Sequence, residues 1–188
     1  LVYYYTTDTI AESPFEYGPK PPILSTIVLD GPLSEPMDTI DNDNDGIIDE
    51  VGEKNLLSYF RTYNGESGSV LGSPFSASDY YNYLTDKWKN GAQMVYGGIG
   101  YGTGTPTRHM FPSWPFENEP DSWSELNDGN TPASRNTVLS SGPFNLAAGE
   151  KVSLDYAWVF NRNLNYEFNS EPYFLQVESN ANIVRNWF

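Results

Sequence analysis

The chain of 188 residues has no cysteine, a single histidine, and only 10 Lys and Arg against 25 Asp and Glu. Each shortage excludes a class of chemistry. Without thiols or a second imidazole, the usual nitrogen and sulfur donor set for zinc is missing, and cysteine nucleophiles and disulfide staples are ruled out. A Ser-His-Asp triad would have to use His109, yet "GESGS" lacks the closing glycine of the G-x-S-x-G turn. His109 is therefore expected to be a hydrogen-bonded structural residue. The net charge of −15 would repel nucleic acid and anionic membrane surfaces. No apolar run reaches the roughly 18 residues that a membrane helix needs.

What is abundant points to β structure. There are 14 Tyr, 10 Phe and 5 Trp, with 16 Gly and 14 Pro to punctuate them. That mixture predicts a mainly β, antiparallel sandwich-like fold with one or two helices and long ordered loops. The length suits one domain spanning 1–188. Residues 1–6 and 23–29 read as strands, as does "SYFRTYNG" after a short helical turn at 54–59. In "EKVSLDYAWVF" the residues Val152, Leu154, Tyr156, Trp158 and Phe160 alternate with smaller or polar ones, which predicts a strand with that face buried. Upstream, "TVLSSGPFNLAAGE" reads as a strand, a Gly-Pro break, a short strand and a turn. The best helix is "SASDYYNYLTDKWKNG", with Ser76 or Ser78 as cap, Tyr80, Tyr81, Leu84 and Trp88 on the core face, and Gly91 closing it. A second helix is expected near Pro172, with Leu175, Ile183, Val184, Trp187 and Phe188 on one face.

The most chemically pointed stretch is "DTIDNDNDGIIDEVGE" at 38–53, with seven acidic residues in sixteen positions. Asp41, Asp43 and Asp45 followed by Gly46 form the D-x-D-x-D-G pattern of a calcium loop. In such a loop alternate carboxylates converge on one hard cation and the glycine permits the sharp bend. Asp41, Asp43, Asp45 and Asp49 are the expected side-chain ligands of Ca²⁺, Ile47 the carbonyl ligand, and Glu50 or Glu53 the group that completes the shell. The twelfth position, a bidentate Glu in an EF-hand, is Gly52 here, and no helix leads in from Gly31, Pro32 and Pro36. An isolated loop like those of thrombospondin type 3 repeats or dockerins fits better than a paired sensor. Asp and Asn also favour plain solvated turns, which is the competing explanation.

Other features carry weaker chemistry. The glycine-dense "QMVYGGIGYGTGTPTR" lacks the G-x-x-x-x-G-K order of a phosphate loop and is expected to be an ordered turn. Trp114 and Trp123 either plug one edge of the core or form an exposed stacking surface for sugar or peptide. Glu117, Glu119, Asp121 and Glu125 near these tryptophans are candidates for a polysaccharide hydrolase, which needs two carboxylates roughly 5 to 10 Å apart.

The order "DNDNDGIIDEVGE", "YFRTYNGESGSVLGSPFSASDYYNYLTDKWKNGAQMVYGGIGYG", "MFPSWP", "WSELNDGNTPASRN" and "SSGPFNLAAGE" resembles a module of large secreted Bacteroidota proteins exported by the type IX secretion system. The resemblance implies a non-catalytic calcium-binding domain, structural or adhesive, and a secreted or cell-surface location. Other surface proteins or glycans are its implied partners. It also implies a fragment of a longer protein, consistent with an opening "LVYYYTT" that reads as mid-strand. O-glycosylation at Asp-Thr-Ile would then fall on Thr9 and Thr39.

Overall fold

The computed structural model describes residues 1–5, 17–43, 45–113, 121–131, 133–167 and 170–188. Two antiparallel sheets and two helices make the chain mainly β. The chain gathers into two compact units: Leu1–Leu56 with Phe144–Phe188, and Leu57–Pro143.

The first unit is built on β2 (Ile23–Asp30), paired on one side with β1 (Val2–Tyr5) and on the other with β5 (Asp155–Asn161). Its β-branched and aliphatic residues suit a central strand. Ile23, Ser25 and Ile27 lie on one face and are fully buried. They face α2 (Glu171–Trp187), where Tyr173, Phe174, Val177 and Ala181 are buried. Tyr173, Val177 and Ala181 are spaced by four, so they form one ridge. Tyr3 and Tyr5 add edge-on contacts to Phe174 at 5.0 and 5.4 Å.

Two expectations about which face is buried are corrected here. On β5 the large side chains point outward: Tyr156, Trp158 and Phe160 are 57, 68 and 59 % exposed, while Ala157, Val159 and Asn161 face the helix. Val152 and Leu154 precede the strand and are also exposed. The reason is space. Small and polar residues let α2 approach closely, and a polar network fixes that approach. Asn161 Nδ2 donates to Ser25 Oγ and Val159 O, Asn180 Nδ2 donates to Asn161 Oδ1 at 2.8 Å, and the Tyr173 hydroxyl donates to Asn161 O at 3.0 Å. On α2, Leu175, Ile183, Trp187 and Phe188 are exposed, because the ridge begins at Tyr173.

In the second unit β3 (Tyr59–Tyr63) pairs with β4 (Asn136–Ser140). Helix α1 (Ala77–Leu84) starts at Ser76, whose hydroxyl accepts from Asp79 N while the Asp79 carboxylate accepts from Ser76 N, a complete capping box. The helix stops at Leu84, well before Gly91. Tyr80, Tyr81 and Leu84 are exposed, and Tyr83 and Trp88 are the buried rings. Between them lies Arg61, 1 % exposed, with its guanidinium 4.8 Å from the Tyr83 ring centre and 4.6 Å from that of Trp88. Burial lowers its pKa to about 10, so it stays charged, and Nη1 donates to Lys87 O at 2.6 Å. Burial pushes the Tyr83 phenol up to about 12.

The glycine-dense run is an ordered turn that serves the core. It doubles back through bonds from Tyr96 N to Thr105 O and from Val95 N to Gly100 O. Its carbonyls receive two indole N–H groups, Trp88 on Gly100 at 2.7 Å and Trp123 on Gly98 at 3.1 Å. Gly100 has φ +74°, a left-handed backbone that glycine adopts without strain. The expected helical turn at 54–59 is instead extended, with Lys54 bridged to Leu33, and the short strand expected between the Gly142-Pro143 break and Gly149 does not form. His109 is mostly enclosed and its Nε2 lies 3.2 Å from Leu57 O, in keeping with a structural role.

Two measurements probe these assignments. Val177→Ala should cost about 2 kcal/mol in chemical denaturation, while Leu175→Ala should stay within about 0.5 kcal/mol, reversing the order expected from the sequence pattern. Burial lowers the His109 pKa, with the Leu57 carbonyl opposing weakly. Its stabilising neutral form is therefore lost as pH falls from about 6.5 through the depressed folded value. His109→Gln should flatten the stability curve over that window.

Candidate metal centre

The acidic loop leaves β2 at Asp30 and returns at Lys54, and its two ends are tied together. Leu33 bridges Lys54, Ser34 N donates to Glu53 O at 3.0 Å, and Asn55 N donates to Pro32 O at 2.7 Å. A salt bridge of 3.0 Å joins Lys54 to Asp30. Inside this neck sits Glu53, only 3 % exposed, whose carboxylate accepts from Asn42 N and from Ser34 Oγ. Asn42 is buried too, and its carbonyl accepts from Leu56 N.

The turn itself is wound by carboxylates. Asp41 accepts from Asp45 N and Gly46 N at 3.1 and 3.0 Å, Asp43 from Asp45 N at 3.2 Å, and Asp45 from Ile47 N at 2.8 Å. Gly46 supplies the positive φ of 98° that the bend requires. The same hydrogen bonds serve as turn chemistry, as Asp and Asn residues favour.

The winding gathers the acids into two triplets. Ligand oxygens of Asp41, Asp43 and Asp45 lie within 4.8 Å of one another, as do those of Asp43, Glu50 and Glu53. Asp43 belongs to both. Of the seven positions expected to ligate, five carboxylates are thus brought together. Asp49 joins neither triplet. Its Oδ1 instead accepts from Thr39 N at 3.1 Å, and its own backbone is left-handed at φ 59°. The side chain of Ile47 is exposed. The residues that pattern matching missed are Asn42, which plugs the neck, and Asp38, which accepts from Ile40 N and Asn42 Nδ2. Their signal was the alternation of Asn with Asp, which places an uncharged donor between the carboxylates.

The electrostatics are those of crowded anions. Burial lifts the Asp43 carboxyl above the ordinary carboxylate range, and the charges of Asp45, Asp41 and Glu53 add to it, against the pull of the Asp45 N–H. At Glu50 a backbone hydrogen bond pulls downward, but burial and the charges of Glu53, Asp45 and Asp43 outweigh it. Glu50 Oε2 is buried without any hydrogen-bond donor. Such an orphaned carboxylate oxygen among like charges fits a hard, oxygen-seeking cation. The donor set is all oxygen, which favours Ca²⁺ or Mg²⁺ over zinc or copper.

The remaining sequence candidates are dispersed. Trp123 is 1 % exposed, packed with Met94, Met110 and Phe111, so it offers no face for stacking a sugar and belongs to the core. Trp114, Glu117, Glu119 and Thr9 lie outside the described residues. Glu125 is held by Arg135 at 2.8 Å, while Asp121 is exposed. Thr39 is exposed, and its hydroxyl donates to Asp38 O.

A group whose folded pKa is raised contributes stability at low pH that is lost as pH rises through that value. In chelator, wild type and Asp43→Asn should therefore be equally stable near about pH 4 and diverge toward neutrality, with the variant more stable. Denaturation across that range checks it. Compared with known family models, curated proteins and solved structures, the chain matches none.

Proposed function

We propose that this chain is a non-catalytic, calcium-stabilised structural or adhesive domain of an exported bacterial cell-surface protein. The observation that carries the proposal is Asp43, whose carboxylate is shared by two acidic triplets, one of them containing the orphaned Glu50 oxygen. Asp41, Asp43, Asp45, Glu50 and Glu53 are the residues that would hold Ca²⁺. The cation would supply the positive charge that the loop lacks and bind the two ends of the turn to one centre.

Two groups that catalysis would draw on have structural partners: the one histidine lies against the Leu57 carbonyl, and Glu125 is engaged by Arg135. An extracellular location suits a loop of this kind if it binds weakly. Calcium modules outside cells work with Kd values of about 10⁻⁴ to 10⁻³ M, which millimolar calcium fills and cytosolic calcium does not. The resemblance to secreted Bacteroidota modules points the same way. O-glycosylation at Thr39 would add to it; an intact mass from the native host decides that.

The decisive experiment is the sign of one substitution. Asp43→Asn keeps the turn acceptor for Asp45 N but removes charge from both triplets. In excess Ca²⁺ it should destabilise, because wild type gains about 2.7 kcal/mol at a hundredfold excess over Kd and the variant gains less. In chelator the order should invert. Calcium titrations followed by thermal melting would refute the proposal if wild type showed no calcium-dependent shift.

A further inference from the structure

The second unit contains a half-open cavity of about 90 Å³. Its lining is mixed: Ile99, Phe111 and Trp88 are apolar, while Asn64, Glu125, Asn130 and Arg135 are polar. Three of the polar groups are already oriented. Arg135 Nε donates to Glu125 Oε1 at 2.8 Å and its Nη2 to Thr131 O at 2.9 Å, while Asn130 Nδ2 donates to Gly98 O at 3.3 Å. The fourth is not satisfied: Asn64 Oδ1 is buried with no donor. A buried amide oxygen left unpaired in a cavity wall calls for a donor from the occupant.

Charge decides between occupants. A cation is disfavoured because Arg135 already neutralises Glu125, and the Trp88 ring already carries the Arg61 guanidinium 4.6 Å from its centre. An anion is disfavoured because the Arg135 guanidinium is already committed to Glu125 and Thr131 O, and by the net charge of −15. What remains is a neutral molecule with an apolar face for Ile99 and Phe111 and several hydroxyl donors for Asn64, Asn130 and Glu125. We infer that the cavity is a binding site for one neutral sugar residue. The volume, equal to roughly three waters at about 30 Å³ each, admits one edge of a pyranose ring and leaves the rest in solvent. Such shallow engagement gives a Kd on the order of 1 mM.

The inference does not rest on the calcium proposal, since the cavity and the acidic loop belong to different units and can fail separately. The test is a ¹⁵N–¹H NMR titration of the whole chain in calcium, with glucose, galactose, mannose and N-acetylglucosamine. Glycerol, tetramethylammonium chloride and sodium acetate serve as controls. Saturable shifts from at least one sugar, including Ile99 and the Trp88 indole N–H, are expected. Asn64→Leu should weaken that binding about tenfold or more, because the site loses its hydrogen-bonding amide. Ile99→Asp, on an exposed turn, should weaken it by removing part of the apolar lining, and melting curves show whether each variant folds. The inference is overturned if no sugar gives a saturable shift up to about 100 mM, a hundred times the expected Kd. It is equally overturned if glycerol or tetramethylammonium matches the sugars, or if both folded variants bind as wild type does.

Discussion

The hold of β2 on both its neighbours is the constraint from which the first unit follows. Ile23, Ser25 and Ile27 are sealed beneath α2, and the strand's edges are closed by β1 and β5. Because the inner face of β5 presents Ala157, Val159 and Asn161, α2 can come close enough for Ala181 and Val177 to touch down. Asn161 then has no water to bond with, and its amide and carbonyl are answered by Ser25, Asn180 and Tyr173. A polar residue in such a position stabilises only when all its bonds are made, and here the network also sets one register between sheet and helix. The acidic loop inherits this rigidity, since it is anchored directly to the end of β2.

That anchoring explains why the loop holds a wound form despite its charge. Glu53 is fixed in the neck by Asn42 and Ser34, and the backbone N–H groups of Asp45, Gly46 and Ile47 are each taken by a carboxylate. These bonds are local and modest, about 1 kcal/mol each net. Opposing them are the burial and, after it, the mutual repulsion that together raise Asp43 and Glu50. A divalent ion would change the sign of that repulsion without altering the hydrogen bonds. The loop is thus a place where ionic conditions and shape are coupled.

Much of this was legible in the residues, and what was not has physical causes. The S-x-x-D box at Ser76 and Asp79 named its helix start, and Ile23 to Leu29 named a strand, because both signals are local. The D-x-D-x-D-G order named the carboxylates that gather, for the same reason. Burial was misread on β5 and α2 because it is decided by the partner surface. A strand that must admit a helix turns its smallest residues inward, whatever its largest ones prefer, so Trp158 lost to Ala157. Asp49 fitted the pattern but not the geometry, since Thr39 N captured its carboxylate first. Trp123 was ambiguous until its indole N–H found Gly98 O, a bond spanning 25 positions. The mainly β class came from composition; the division into two units did not, because the Ser-Ser-Gly-Pro break at 140–143 reads equally as a turn within one domain and no such stretch marks the Leu56–Leu57 junction.

The nested order of the chain has a kinetic meaning. Ile23 pairs with Asn161, so the two strands that define the first unit are joined through the whole of Leu57–Pro143. Closing an unstructured loop of that length costs entropy before any contact rewards it. Once the intervening segment has folded on its own contacts, the tether contracts to a compact body and the search becomes short. With the inserted unit folded first, the outer sheet would be the last piece to close.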